Sequence, residues 1–134
     1  RCNFSNDECK INIPKLGCIN RHSSLLPSYR GLWPIIQAYR KGESKIGVTA
    51  HTMTEKIDKG IILSQKTINI NKNDTIDSLY KKSFSISASV VIDSLNKIQN
   101  NDFSAIKNKY KPSYYSFPEK KHWIEFRKRR GRFI

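Results

Sequence analysis

The stretch Gly17-Cys18-Ile19-Asn20-Arg21-His22-Ser23-Ser24-Leu25-Leu26-Pro27-Ser28-Tyr29-Arg30-Gly31 passes from an apolar run into a turn-rich loop. Gly17 to Asn20 reads as a short buried strand, apolar and bounded by glycine. From His22 onward two serines, Pro27 and the turn Ser28-Tyr29-Arg30-Gly31 spell a loop. Alternate strand side chains share a face, so Asn20 and His22 point one way and Arg21 the other. At the carboxyl end of a strand in an open α/β sheet, such side chains face the crevice where ligands bind.

Downstream, Trp33 to Arg40 reads as a short helix, with Pro34 in its first turn and Gly42 as a stop. Lys45 to Thr52 is rich in β-branched residues and reads as a strand, and Ile61 to Ile68 as another. Asp74 is the predicted N-cap of a long helix, with Asp77 in its first turn. Ile76, Tyr80, Phe84, Ala88, Val91, Leu95 and Ile98 recur every three or four residues and predict its core face. Trp123, Phe126 and Phe133 are expected to pack the tail onto the sheet. The order of elements is that of an α/β sheet packed by helices. Only three strands are evident, and no βα unit precedes the first, whereas a parallel sheet needs crossovers and both faces covered. The expected organisation is a polar lead-in over 1–16 following a missing βαβ half, a core segment over 17–100 and a basic aromatic tail over 101–134.

A chain of 134 residues, 37% hydrophobic and 27% charged, suits one domain with a modest core. No apolar run approaches the roughly 20 residues of a membrane helix, and nothing resembles a signal peptide. Cys2, Cys9 and Cys18 fit no zinc spacing, so no metal is expected. Cys18 reads as a buried reduced thiol, and a cytoplasmic, reducing compartment is the expectation. The net charge of +14 points to a polyanionic partner, or to a composition rich in lysine, isoleucine and asparagine that raises surface lysine everywhere.

An amide and an imidazole on one strand edge are what carbonyl chemistry needs: a donor for an oxyanion and a proton carrier near neutral pH. Asp58 lies in the loop between two strands, just before Gly60, where a carboxylate can orient His22 and raise its pKa. By spacing alone, a structural histidine at a strand end reads as well. His51 is read as structural or as a support behind the site, and His122 as a surface residue.

Asn20 through Gly31 closely resembles the N-x-H-x-S-L-L-P-x-Y-R-G signature of the folate-dependent formyltransferases. Ile46-Gly47-Val48-Thr49-Ala50-His51, with Met53, Ile57-Asp58-Lys59-Gly60 and Ile62, resembles the second block of that superfamily, G-V-T-x-H-x-M-x-x-x-I-D-x-G-x-I. The resemblance spans roughly residues 13–68. It implies the C-terminal part of a Rossmann-like formyltransferase domain, here with a long helix and a basic aromatic tail. It also implies 10-formyltetrahydrofolate as donor and attack by an amine on the formyl carbon. Asn20, His22 and Asp58 take the catalytic roles, and Met53, Thr54, Glu55, Lys56, Ile57 and Asp58 line the folate pocket. Ser24, with Pro27, shapes the loop behind the site. Ser24, Tyr29, Arg30 and Gly31 are candidate acceptor contacts, with a loop-fixing turn as the other reading of residues 29–31. Arg21 departs from the apolar residue usual between the asparagine and histidine, and a charge on a core-facing side needs a partner.

The tail is too short for the β-barrel of the methionyl-tRNA enzymes and is similar to stand-alone members, including those that formylate nucleotide-linked amino sugars. The favoured acceptor is therefore a phosphate-bearing small-molecule amine. Methionyl-tRNA, glycinamide ribonucleotide and water, the last as in formyltetrahydrofolate hydrolases, are alternatives, and a homodimer is allowed. A different class, RNA binding without catalysis, rests on Arg127, Lys128, Arg129, Arg130 and Arg132 among aromatics.

Overall fold

The computed structural model describes residues 14–15, 17–106 and 110–134. Cys2, Cys9 and nearly all of the polar lead-in lie outside the described residues. Cys18 is a free thiol, half-buried and not fully enclosed. The chain forms β1 (Ile19–His22), β2 (Arg30–Gly31), α1 (Pro34–Lys41), β3 (Lys45–Thr52), β4 (Ile62–Asn69), α2 (Ile76–Gln99), β5 (Tyr114–Tyr115) and α3 (Lys120–Lys128). Among the described residues, no helix is long and apolar enough to cross a membrane.

The fold is mixed α/β, and its main sheet has the order β1-β3-β4. Both pairings in it are antiparallel, unlike the parallel crossovers of a doubly wound sheet. The segment joining β3 to β4 is too short for a crossover and turns the chain straight back. β3 runs through the middle and is buried on both faces from Ile46 to His51. Ile46, Val48 and Ala50 join the core with Ile35, Ile36, Leu79, Val90 and Phe126. The alternate residues Thr49 and His51 lie on the opposite face, which is the face of the site.

Helix α1 begins at Pro34, where no backbone N–H is needed, and stops at Gly42 as its sequence predicts. Helix α2 starts one residue later than its sequence suggests. Thr75 is the N-cap and exchanges hydrogen bonds with Ser78. Asp74 is buried instead and accepts from the Asn71 N–H, the Ser78 hydroxyl and the Lys82 ammonium.

The buried stripe of α2 is Ile76, Leu79, Ser83, Val90, Ser94 and Ile98. It corrects the predicted face: Phe84 is 64% exposed and Leu95 50%. Around Phe84 the reason is Arg21. Its side chain leaves the sheet on the α2 side, donates from Nε to the Ser87 hydroxyl at 2.9 Å and from a terminal nitrogen to the Ser83 hydroxyl, and lies 5.0 Å over the Phe84 ring. Small hydroxyl residues occupy the helix face where a uniformly apolar stripe would leave that guanidinium unpaired.

The tail is folded. Phe126 is 3% exposed and packs against Tyr39 and Phe133, within the core cluster that also holds Ile35 of α1 and Ile46 and Val48 of β3. Arg129 donates to the carbonyls of Arg40 and Lys41 at the end of α1. The Ile76 and Asp77 N–H groups at the start of α2 donate to the carbonyls of Arg132 and Phe133.

Candidate active site

The register of β1 on β3 builds the site. Asn20 lies opposite His51 and His22 opposite Thr49, and directly opposed residues share a face. A register shift between Ala50 and His51 on the β4 side re-aims the end of β3. The loop after β3 then returns Asp58 to the same place. Gly60 makes the return possible, because a Cβ there would run into the Thr52 carbonyl. Asp58 itself adopts φ 52°, a left-handed conformation that aspartate tolerates better than most residues.

The Asp58 carboxylate stands between two imidazoles. Its Oδ2 is 3.6 Å from His22 Nδ1 and its Oδ1 is 3.5 Å from His51 Nε2. The Gly31 N–H donates to Oδ2 at 2.8 Å, and the Asn20 amide reaches Oδ1 at 3.4 Å. Gly31 holds φ 92°, and a Cβ on it would strike the Tyr115 carbonyl, so only glycine brings that N–H onto Asp58. Burial pushes the Asp58 carboxyl up, but the His51 and Gly31 hydrogen bonds and the neighbouring imidazoles outweigh it and hold it below the usual carboxylate range.

His22 is 8% exposed, and its Nε2 is 2.8 Å from the Tyr29 carbonyl. A carbonyl only accepts, so that nitrogen carries the hydrogen and Nδ1, facing Asp58, is the basic one. Burial pushes the imidazole below its usual pKa, against the opposing pull of the Tyr29 carbonyl and of Asp58. A neutral imidazole whose basic nitrogen faces an ionised carboxylate is stabilised once it has taken a proton, since the new charge lies against Asp58.

The loop that follows His22 is pinned from below. Thr49 is fully buried; it donates to the Ser24 carbonyl at 2.6 Å and accepts from the Leu26 N–H and from Gln65. Ser24 is buried and spends its hydroxyl on the Ser28 carbonyl at 2.7 Å, within the loop. Tyr29 donates its hydroxyl to Glu43 and stacks on Tyr115. Arg30 donates from Nε to the Ser113 carbonyl, beside the short β2–β5 pairing. The side chains of Ser24, Tyr29 and Arg30 are thus tied to loop and tail partners, while the Tyr29 carbonyl and the Gly31 N–H contact the cluster at His22 and Asp58.

Met53, Thr54, Glu55, Lys56 and Ile57 are all exposed along the loop that ends in Asp58. Met53 is anchored by its N–H to the Cys18 carbonyl at 2.8 Å. Asn20, His22 and Asp58 therefore come together as their spacing suggests, with the predicted folate-side residues on the adjoining loop. His51 is the member that strand patterns alone place less directly. Only the antiparallel register sets it across from Asn20.

A family model for formyl transferases matches residues 8–95, well over half of the chain and beyond the two sequence blocks into α2. This chain belongs to the formyl transferase family. A methionyl-tRNA formyltransferase of Thermotoga neapolitana is 42% identical over 92 residues, which cover 69% of this chain and 29% of that protein. The bifunctional polymyxin resistance protein ArnA of Wigglesworthia glossinidia brevipalpis is 56% identical over 72 residues, 54% of this chain and 11% of that one. The solved N-formyltransferase of Helicobacter canadensis, in complex with folinic acid and dTDP-3-aminofucose, aligns at 34% identity with a TM-score of 0.65, covering 73% of this chain and 37% of that chain. The chain spans 29% and 38% of the first two methionyl-tRNA relatives it matches.

Proposed function

We propose that this chain is the part of a folate-dependent formyltransferase that carries the reacting groups, and that the acceptor is the amine of a nucleotide-linked amino sugar. The observation that carries the reading is the convergence of Asn20, His22 and Asp58 around one carboxylate at the end of β1. In this reading 10-formyltetrahydrofolate supplies the formyl group, and a βαβ half belonging to the full protein completes its pocket beside Met53 to Asp58. The Asn20 amide donates to the formyl oxygen as negative charge develops there. His22 takes the proton that the attacking amine sheds and returns one to the departing nitrogen, with Asp58 stabilising the imidazolium in between. The adjoining loop fits a pterin-bearing donor, since it presents Met53 at 42% and Ile57 at 55% exposure next to the polar cluster.

The sugar acceptor is supported by the Helicobacter relative, whose complex holds a dTDP-amino sugar. A net charge of +14 suits any phosphate-bearing acceptor, and the methionyl-tRNA relatives make tRNA the second reading. The test is tetrahydrofolate release by the full protein, given 10-formyltetrahydrofolate and, in turn, a dTDP-linked amino sugar, methionyl-tRNA, glycinamide ribonucleotide or no amine. Turnover with the amino sugar alone is the expected result. Turnover with methionyl-tRNA alone replaces the acceptor, and equal release without any amine replaces transfer by hydrolysis.

A further inference from the structure

The loop between His22 and α1 is held by a part of the chain that supplies no reacting group. Ser113 lies in the tail, just before β5. Its hydroxyl accepts from the Tyr29 N–H at 2.8 Å, and its carbonyl accepts from the Arg30 N–H at 3.0 Å. These two N–H groups belong to the peptide units on either side of the Tyr29 Cα, so one residue grips both planes. The Ser113 N–H donates in turn to the Pro27 carbonyl at 3.2 Å. Next to this grip, the Ser28 hydroxyl donates to the Lys111 carbonyl and the Leu32 N–H to the Tyr115 carbonyl.

The peptide joining Tyr29 to Arg30 is trans, so its carbonyl and its N–H point in opposite directions. The N–H end is bound to Ser113, and the carbonyl end receives the His22 Nε2–H at 2.8 Å. Turning that plane breaks both bonds at once. Tyr29 also holds φ 59°, a left-handed conformation that a residue with a Cβ keeps only where its surroundings impose it. Ser113 imposes it on the backbone, while the stack on Tyr115 and the hydroxyl bond to Glu43 at 2.6 Å hold the side chain. Losing the Ser113 hydroxyl leaves the Tyr29 N–H without that acceptor, and the strained residue relaxes by rotating its peptides, which carries the carbonyl off His22. We propose that Ser113 is a positioning residue for formyl transfer, which through the Tyr29–Arg30 peptide keeps the His22 hydrogen on Nε2 and the basic Nδ1 against Asp58. The tail is then part of the working site although none of its side chains touches the Asp58 cluster. The consequence for catalysis rests on the formyl-transfer reading, but the link from Ser113 to His22 does not.

The test compares Ser113→Ala and Ser113→Thr with the wild type, all as the full protein, in two measurements. The first is nitrogen NMR of the His22 ring above neutral pH, where the imidazole is uncharged. The wild-type ring is expected as the Nε2–H tautomer. Ser113→Ala should move it toward a mixture of tautomers, and Ser113→Thr, which keeps the hydroxyl, should restore the wild-type signals. Ring nitrogens that are identical in the wild type and the alanine variant overturn the inference whatever the reaction is. Where the alanine variant fails to fold, Ser113→Cys replaces it, because a thiol is a weak acceptor at the same place, and unchanged His22 signals there overturn the inference equally. The second measurement is tetrahydrofolate release with the amine that the acceptor series identifies. Ser113→Ala should lower kcat ~10-fold with little change in KM, and Ser113→Thr should recover most of the rate. A loss carried by KM alone overturns the positioning role. Should the tautomer shift in Ser113→Ala while kcat stays at the wild-type value, the link to the ring stands and the catalytic reading of His22 falls.

Discussion

Asp58 gathers partners from three strands: it accepts from the Asn20 amide of β1 and the Gly31 N–H of β2, and the imidazoles His22 of β1 and His51 of β3 flank it. Such a carboxylate stays ionised and fixes its partners, which is what a proton-carrying imidazole requires behind it. The Gly31 contact is the most demanding sterically. Gly31→Ala should cost roughly 1–3 kcal/mol, because it forces a side chain into the left-handed region and onto the Tyr115 carbonyl. Urea titration should show a lowered midpoint, and an unchanged midpoint would mean that the β2–β5 pairing yields without strain. The alternation of Asn20 and His22 was legible in the sequence, because a strand has only two faces. The place of His51 was less so, since it depends on an antiparallel register that no local pattern encodes.

The elements show where periodicity succeeds and where it misleads. Strand β3 coincides with its β-branched run, and α1 ends at Gly42, because both signals are local. The face of α2 departs from its apolar period because Phe84 and Leu95 lie exposed while Leu79 and Val90 share the buried stripe with serines. The true face admits Ser83, whose hydroxyl takes the Arg21 guanidinium, and Ser94, whose hydroxyl donates to the Val91 carbonyl, both fully buried. Leu79→Ala, at a fully buried position, should therefore cost about 2–5 kcal/mol. Leu95→Ala should stay within about 0.5 kcal/mol. Equal losses for the two variants in denaturant melts would restore the periodic face. The pairing of β5 with β2 is not legible in the sequence, since two-residue strands carry no pattern of their own.

Across the whole molecule, charge and burial set the response to acid. His22 titrates lower in the folded chain than its unfolded value near ~6.5, and Asp58 lower than ~3.9. In both cases the unfolded chain binds the proton first as pH falls. Stability contributed by each group is full above its unfolded value and is lost through the folded one. The Tm should drop as pH falls below about 6.5 and again below about 3.9. His22→Gln should flatten the upper part of that fall, and an unaltered upper limb would place the titration elsewhere. The basic tail adds charge without being loose. Arg129 and Arg132 bind carbonyls of the body, which turns part of an apparent nucleic-acid signal into packing. The central claim, that Asp58 holds the groups that move a formyl unit, is met most directly by the rate of tetrahydrofolate release from 10-formyltetrahydrofolate in Asp58→Asn of the full protein. A loss of ~100-fold or more with the fold intact is expected, and near-normal turnover in that variant would mean that Asp58 has no part in the transfer.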